Sequence, residues 1–431
     1  MPCATAPRIV TCERKRRSFR ALSHKTGCPA NSPITPTLLP RQRDISALAK
    51  IVLPVHLYLR LSGFYLIYFA SLGVLLPYWG PYLAWLGFGP ARIGELLAIP
   101  QATKLVAPAL WGWLADRTGR RMRVIRWACL AAALAFAGVY PAGNSYLGLA
   151  SVTVLFSFFW NAALPQFEAV TLDHLGEQAH RYSRVRLWGS VGFVGAAVGL
   201  GFATQAWGTS IVPAVLLGLF AALWSSSLLV PDRSTASSIP QPPWLGWVLR
   251  RPVVVAFFAV CFLNQAAHGA YYGFYSLYLE TLDYSREFIG LMWGLGVTVE
   301  VGMFVILPCL LPRFGPRRLM LAALALAALR WLLIGHLAGA LPVLLFAQTL
   351  HAFSFGVFHA VSIHLIHQFF PGSLQGRGQA LYSSLGFGVG NAAGSLAAGY
   401  LWVGLGPAAM FDLAATLGVL GWLVAWRWLR L

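Results

Sequence analysis

Three charged side chains lie inside long apolar stretches of the sequence, where an ionised group needs a partner or contact with water. They are Lys104, Glu300 and Arg330. Because an isolated charge in such surroundings is costly, these residues are candidates for function. Burial favours the neutral form of a carboxyl, so Glu300 is a candidate proton carrier. Arg330 can offer two parallel hydrogen bonds to a solute carboxylate, and Lys104 can add a second positive charge. The alternative is a fixed ion pair within the protein.

Other polar and aromatic side chains extend this set of candidates. Glu168 is a second candidate carboxylate for proton coupling, unless it simply pairs with Arg184 or Arg186. Histidines and aromatic residues near the later apolar stretches could form a wall for a flat solute ring, although aromatic residues also mark the membrane interface. The residues assigned to this wall are His268, Tyr271, Tyr272, Phe274, His351, Phe355 and His359.

The composition excludes an ordinary soluble protein. Of the 431 residues, 58% are hydrophobic and only 10% are charged, and the mean hydropathy is +0.66. Soluble domains carry about 25% charged residues. The six cysteines form no CxxC pair and no Cys/His spacing typical of a metal site. We therefore expect neither an enzyme nor a bound metal or cofactor.

Apolar stretches long enough to cross a membrane follow one another along the chain. A helix needs about 20 apolar residues to span the hydrocarbon core. The sequence predicts twelve spans, at about 61–83, 91–114, 123–141, 145–170, 186–206, 209–230, 252–279, 287–311, 317–338, 341–369, 378–403 and 407–429.

The excess of basic residues has two competing explanations, nucleic-acid binding and membrane orientation. The chain has 32 Lys and Arg against 13 Asp and Glu, a net charge of +19. In the twelve-span topology, nearly all basic loop residues fall on the side of the two termini, and only Arg92 and Arg286 fall on the other. Positive residues concentrate in cytoplasmic loops. The sequence therefore predicts a multi-pass protein of a bacterial inner membrane with both termini cytoplasmic, and no nucleic-acid partner.

An internal repeat divides the spans six and six. Ile93-Gly94 recurs as Ile289-Gly290, at an offset of about 196 that also maps Lys104 onto Glu300. Repeats of this kind place a binding site between the two halves, near the bilayer midplane. The predicted organisation begins with a basic tail at 1–60, which is either disordered or a start assigned too early. Two six-helix bundles follow, at 61–230 and 251–431, joined by a linker at 231–250.

The loop after the second span carries the most specific motif. Residues 112–121, GWLADRTGRR, match the pattern G-x-L-A-D-R-x-G-R-R/K. This motif resembles that of the major facilitator superfamily, and the resemblance extends from about residue 60 onward. It implies a fold of twelve helices in two pseudo-symmetric bundles. An aspartate facing arginines across a helix junction can hold a gate in one state. The residues assigned to gating are Asp116, Arg117, Gly119, Arg120, Arg121 and Arg186; the second copy of the loop lacks the aspartate.

Two further segments resemble one branch of that superfamily. Residues 182–193 and 268–274 look like those of the branch containing the phenylpropionic acid permease, with nucleoside and lactose permeases as relatives. In the lactose permease a glutamate, an arginine and a histidine serve sugar binding and proton coupling, and Glu300, Arg330 and His351 stand at comparable places. The resemblance thus assigns His351 to proton coupling. A further glutamate of that permease is replaced here by Ser354.

These observations together predict a monomeric secondary transporter in the lipid bilayer. We expect proton-coupled uptake of a small organic solute, with an aromatic carboxylate such as 3-phenylpropionate as the first candidate, driven by the proton gradient without a cofactor. An importer of a neutral sugar or nucleoside is the alternative. A non-transporting membrane sensor is a third hypothesis.

Overall fold

The computed structural model of the chain describes residues 54–233 and 246–430, and within these ranges it contains helices and no strands. The predicted tail up to residue 53 and the middle of the linker, residues 234–245, lie outside the described residues. Helices suit a chain with so few polar side chains, because a helix satisfies its backbone hydrogen bonds internally. The predicted all-α polytopic class is confirmed.

The helices of the first half follow the predicted spans closely. The first begins at Val55, six residues before the predicted start at residue 61. The helices are α1 Val55–Trp85, α2 Pro90–Ala102, α3 Ala107–Thr118, α4 Arg121–Ala137, α5 Val139–Ala142, α6 Tyr146–Leu175, α7 Tyr182–Trp207 and α8 Val212–Leu229.

The second half begins within the predicted linker, with the short helix α9. Helix α11 runs through two predicted spans, but Gly315 interrupts it with φ 75°, a conformation that favours glycine. The helices are α9 Gly246–Leu249, α10 Pro252–Glu280, α11 Arg286–Leu337, α12 Leu341–Thr349, α13 Phe358–Phe369, α14 Gln375–Tyr382, α15 Asn391–Leu405 and α16 Pro407–Trp428.

Eight helical stretches in the described ranges are long and apolar enough to cross a membrane. Two of these stretches contain more than one predicted span, and other predicted spans are divided into shorter segments. The count of twelve therefore stays a prediction.

Three predicted spans contain irregular turns near their middle. A 3-10 segment, Thr103–Leu105, separates α2 from α3, because Pro108 lacks the N–H that would bond the carbonyl of Lys104. Wider π-helical turns occur at Ala352–Val357 and at Ser383–Gly390. Such turns are often found at functional sites.

The two halves pack closely at one end of the molecule. A Cβ on Gly94 would overlap the Ser395 carbonyl, and one on Gly201 would overlap the Arg286 carbonyl, so the backbones of α2 and α15, and of α7 and α11, nearly touch. The Tyr400 hydroxyl also donates a hydrogen bond to Glu95 across the two halves, at 2.6 Å. This end, which we call the closed end, is the one predicted to lie outside the cytoplasm.

Candidate functional site

A cavity of about 140 Å³ lies between the two halves. Helices α1 and α7 of the first half and α10 and α11 of the second contribute to its wall, together with the chain around the first π-helical turn. Most of the wall is aliphatic or aromatic, with a few polar groups. The lining residues are Phe69, Leu72, Leu76, Arg186, Ser190, Phe193, Tyr272, Trp293, Val297, Glu300, His351 and Phe355.

Glu300 and His351 face each other at this cavity. The Nε2 atom of His351 lies 3.3 Å from Oε2 of Glu300, and the two side chains are 5% and 12% exposed respectively. On the other side of the ring, Nη1 of Arg330 lies 3.0 Å from Nδ1 of His351. A guanidinium can only donate, so Nδ1 must accept and Nε2 must carry the hydrogen. His351 is therefore neutral and points its N–H toward the Glu300 carboxylate.

Arg330 is fully buried behind His351 and does not line the cavity. Besides His351, it donates to Ser354 Oγ at 3.1 Å and to Gln348 Oε1 at 3.2 Å. The guanidinium also lies over the ring of Tyr271, 4.3 Å from its centroid. In this conformation Arg330 contacts His351, which in turn contacts Glu300, and the expected direct contact between Arg330 and Glu300 is not formed.

Arg186 lines the cavity, although the sequence placed it with the gating residues. Its guanidinium lies over Phe69, 3.8 Å from the ring centroid, and 5.8 Å from that of Tyr65. Because α7 begins at Tyr182, Arg186 lies just over one turn inside the helix. Ser190 and Phe193 follow on the same helical face and also line the cavity. The spacing of Arg186, Ser190 and Phe193 on one helical face is a sequence signal that predicts a cavity-facing position for Arg186.

The remaining carboxylate candidate, Glu168, lies in the first half. It accepts a hydrogen bond from the Tyr182 hydroxyl at 3.2 Å, and neither Arg184 nor Arg186 forms an ion pair with it in the described part of the chain. The ring of Tyr65 meets that of Tyr182 edge-on. Glu168 thus belongs to a tyrosine cluster beside the cavity.

Lys104 is separate from Glu300 despite its pseudo-equivalent position. It lies in the 3-10 segment and donates to Gln101 Oε1 at 2.7 Å. Thr103 and Asn161, next to it, hydrogen bond to each other at 2.9 Å. Lys104 and Glu300 are both described by the structure and form no ion pair with each other, and Lys104 does not line the cavity.

The predicted aromatic wall is present only in part. Tyr272 and Phe355 line the cavity, with Phe69, Phe193 and Trp293, which the sequence did not single out because they lie in uniformly apolar runs. His351 of the predicted wall also lines the cavity, whereas the other four predicted residues do not. His268 bonds the Asn264 carbonyl at 2.8 Å, Tyr271 accepts from Gln348 at 2.7 Å, Phe274 packs on Trp402, and His359 contacts the Tyr382 hydroxyl at 3.0 Å.

The motif at the α3–α4 junction forms an ion pair. Asp116 Oδ1 lies 2.7 Å from Arg121 Nη2, and Arg121 also donates to Gln166 on α6. Gly119 adopts φ 63°, which favours glycine at the end of α3. Arg120 precedes α4 and Arg117 lies over Trp113. The pair joins helices of one half, and its role in gating stays a prediction.

The described residues contain no group of three or more His, Cys, Asp or Glu side chains that could hold a metal ion. Among the residues that line the cavity, those with a charged or imidazole side chain are Arg186, Glu300 and the neutral His351. One cation, one carboxylate and several rings could bind a proton and an amphipathic anion.

Comparison with known proteins gives consistent matches. The sequence model of the MFS_1 like family matches residues 58–413. The chain is 30% identical over 353 residues to the "Probable 3-phenylpropionic acid transporter" of Escherichia coli (strain K12), covering 81% of this chain and 92% of that protein. It is 29% identical over 356 residues to the "Maltose permease" of Geobacillus stearothermophilus, covering 78% and 86%.

The fold is also found among solved structures. A crystal structure of a variant of the nucleoside transporter NupG superimposes with a TM-score of 0.78, at 15% identity, over 87% of this chain and 100% of that one. The POT family transporter PepTSo superimposes with a TM-score of 0.69 at 13% identity, over 88% and 98% of the two chains. At these identities the likeness shows the fold alone.

Proposed function

Because the chain belongs to the MFS_1 like family of the major facilitator superfamily, it is a multi-pass membrane transporter and not an enzyme, and we propose that it takes up a small aromatic carboxylate, such as 3-phenylpropionate, together with protons. The relative from Escherichia coli supports this choice of solute.

The observation that carries the proposal is the presence of Arg186 and several aromatic rings in the lining of one cavity. The solute carboxylate would bind the guanidinium, and the solute ring would lie against Tyr272, Trp293 and Phe355. Aromatic pairs in offset or edge-on contact stabilise such a complex beyond simple burial of area. Arg186 is half-buried, so it combines access to the cavity with partial removal from water.

Glu300 provides the coupling in this proposal. When Glu300 is charged, it competes with the solute carboxylate for the positive charge of Arg186 in the same cavity. A proton bound to Glu300 removes this competition, so proton and anion enter the cavity together with no net charge. The proton gradient then supplies the energy, and no cofactor takes part.

A binding experiment on the purified full chain tests the role of Arg186. A hydrogen-bonded contact with a charged group contributes about 1.5–3 kcal/mol, so Arg186→Gln should weaken 3-phenylpropionate binding about 10- to 100-fold. Arg184→Gln, an exposed arginine two residues earlier, is the matched control and should bind normally. Unchanged affinity in Arg186→Gln would overturn the proposal.

Uptake of a neutral sugar is the second candidate, because the maltose permease is nearly as similar to this chain as the phenylpropionic acid transporter. Thermal stabilisation by a panel containing 3-phenylpropionate, maltose and uridine separates the two. Stabilisation by maltose or uridine alone would favour the neutral solute, and in that case Arg186 and Glu300 would serve coupling only.

We propose further that the protein is a monomer of the bacterial inner membrane with both termini in the cytoplasm. The clustering of basic loop residues on the side of the termini supports this orientation.

A further inference from the structure

Gln348, at the end of α12, is fully buried and its side-chain amide makes three hydrogen bonds. Its Oε1 accepts from Arg330 Nη2 at 3.2 Å. Its Nε2 donates to the Tyr271 hydroxyl at 2.7 Å and to the Met292 carbonyl at 2.8 Å. One glutamine therefore ties α12 to α10 and to both parts of α11, and it orients Arg330.

The orientation of Arg330 determines which nitrogen of His351 carries the hydrogen. Nη1 of Arg330 has two hydrogens, and its two acceptors are Nδ1 of His351 at 3.0 Å and Oγ of Ser354 at 3.1 Å. While this contact holds, the Nδ1 lone pair is occupied and Nε2 has no lone pair to offer. The His351 nitrogen that faces Glu300 is therefore a donor.

We propose that Gln348 is a positioning residue for proton coupling: by holding Arg330 against His351, it keeps the His351 Nε2–H facing Glu300, so that Glu300 exchanges its proton with the cavity and never with His351. The inference rests on the proposed function, since it concerns the proton that Glu300 carries.

Loss of Gln348 would open a competing proton transfer. With Nη2 released, the Arg330 guanidinium can turn away from Nδ1, and His351 can adopt the other tautomer with a lone pair on Nε2. The O–H bond of protonated Glu300 would then break and an N–H bond form on Nε2, which leaves a carboxylate and an imidazolium. A proton held in that ion pair no longer follows the solute.

Transport by the full chain in proteoliposomes provides one arm of the test. Gln348→Leu should bind labelled 3-phenylpropionate within about twofold of wild type, because Gln348 does not line the cavity, while accumulation under an imposed proton gradient should fall at least about tenfold. Gln348→Glu keeps an oxygen acceptor for Arg330 and should restore most of the coupling. Gln265→Leu is the matched control, since Gln265 is equally buried and has no bond to Arg330.

Nitrogen-15 NMR of labelled histidine provides the second arm and needs no transport. The His351 signals are assigned by difference from His351→Gln. Wild type should show Nε2 protonated and Nδ1 unprotonated, and Gln348→Leu should show a mixture of tautomers. A protonated Nδ1 in wild type, or undiminished accumulation in a folded Gln348→Leu, would overturn the inference.

The two arms also separate this inference from the proposed function. If wild type shows the expected tautomer but no proton-driven accumulation of 3-phenylpropionate, the proposed function fails. The role of Gln348 in coupling then fails as well, but the control of the His351 tautomer by Gln348 stands. If wild type accumulates the solute and the tautomer is the opposite one, only the inference fails. Should Gln348→Leu not fold, Gln348→Glu and the wild-type tautomer still decide.

Discussion

Arg186 and Arg330 are two arginines of the same cavity region with different environments. Arg330 has no exposed surface, and its Nη atoms donate hydrogen bonds to His351, Ser354 and Gln348. Arg186 is half-buried, and its guanidinium packs face-on against Phe69. A stacked guanidinium keeps its edge free for hydrogen bonding, because the ring contacts only its face. Arg186 is therefore the arginine placed to meet a solute.

Replacement of Glu300 by glutamine should separate exchange from accumulation. Gln keeps the shape and an oxygen that can accept from His351, but it cannot take up a proton. We expect Glu300→Gln to exchange internal for external labelled solute at a rate within about threefold of wild type, and to lose accumulation under a proton gradient. Glu177→Gln, at an exposed position, should behave as wild type.

The contradicting result for Glu300 would be uphill accumulation by Glu300→Gln at wild-type level. In that case the proton is carried elsewhere, and Glu168, which bonds Tyr182 beside the cavity, is the next carboxylate to replace.

The structure brings together some of the residues that the sequence singled out and separates others, and the reason for each placement is physical. Glu300, Arg330 and His351 stand out because charge and imidazole are rare in apolar helices, and the structure brings them together. Lys104 also stands out, but a repeat offset establishes equivalence between two positions and not contact. Trp293 could not be identified, because an aromatic residue in an apolar helix looks the same whether it faces lipid or a cavity.

At the scale of helices, an irregular turn is predictable from the sequence only where a particular residue type marks it. The break between α2 and α3 is predictable from Pro108, which removes a helical hydrogen bond. The π-helical turn at Ser383–Gly390 is not, because its residues have no such marker. Gly386 and Gly390 within it face Gln265 and Phe262 of α10, so the turn is set by packing between helices.

Helices α2 and α15 are joined at the closed end by a carboxylate with three donors. Glu95 accepts from Arg92 at 2.9 Å and from the hydroxyls of Tyr146 and Tyr400 at 2.6 Å. Only Tyr400 belongs to the other half. A transporter that opens at this end must break that bond, whereas the contacts of Arg92 and Tyr146 can persist.

Tyr400→Phe should therefore favour opening of the closed end. Because Tyr400 is exposed to solvent, which weakens the contact, loss of this bond should raise the open-to-closed ratio by up to about fivefold. Spin labels at Trp85 and Val403, both exposed near this end, would report a larger population of long distances. Tyr140→Phe, also exposed, is the control, and an unchanged distance distribution in Tyr400→Phe would show that the bond does not hold the closed state.

At the scale of the whole molecule, the distribution of the charges behind the net +19 predicts an orientation in the membrane. Arginines gather near the α3–α4 junction and near the break in α11 at Gly315, which the predicted topology places on one side. The predicted topology places only two basic loop residues, Arg92 and Arg286, at the closed end, and they lie beside Glu95 and Glu280 in ion pairs. The ion pairs at that end leave the excess positive charge on the opposite side.

This distribution predicts which loops face the cytoplasm, because basic loops are retained there. In a chain whose six cysteines are replaced by serine, Asn144→Cys lies in the loop between α5 and α6, and Glu177→Cys lies between α6 and α7. Both positions are exposed, so each should react with a maleimide that reaches it. In intact cells, a membrane-impermeant maleimide should label Asn144→Cys and leave Glu177→Cys unlabelled until the membrane is permeabilised. The two cysteines flank α6, so they must lie on opposite sides of the membrane if that helix crosses it once. Equal labelling of both cysteines before permeabilisation would contradict a single crossing by α6. Labelling of Glu177→Cys alone would place the termini outside the cell.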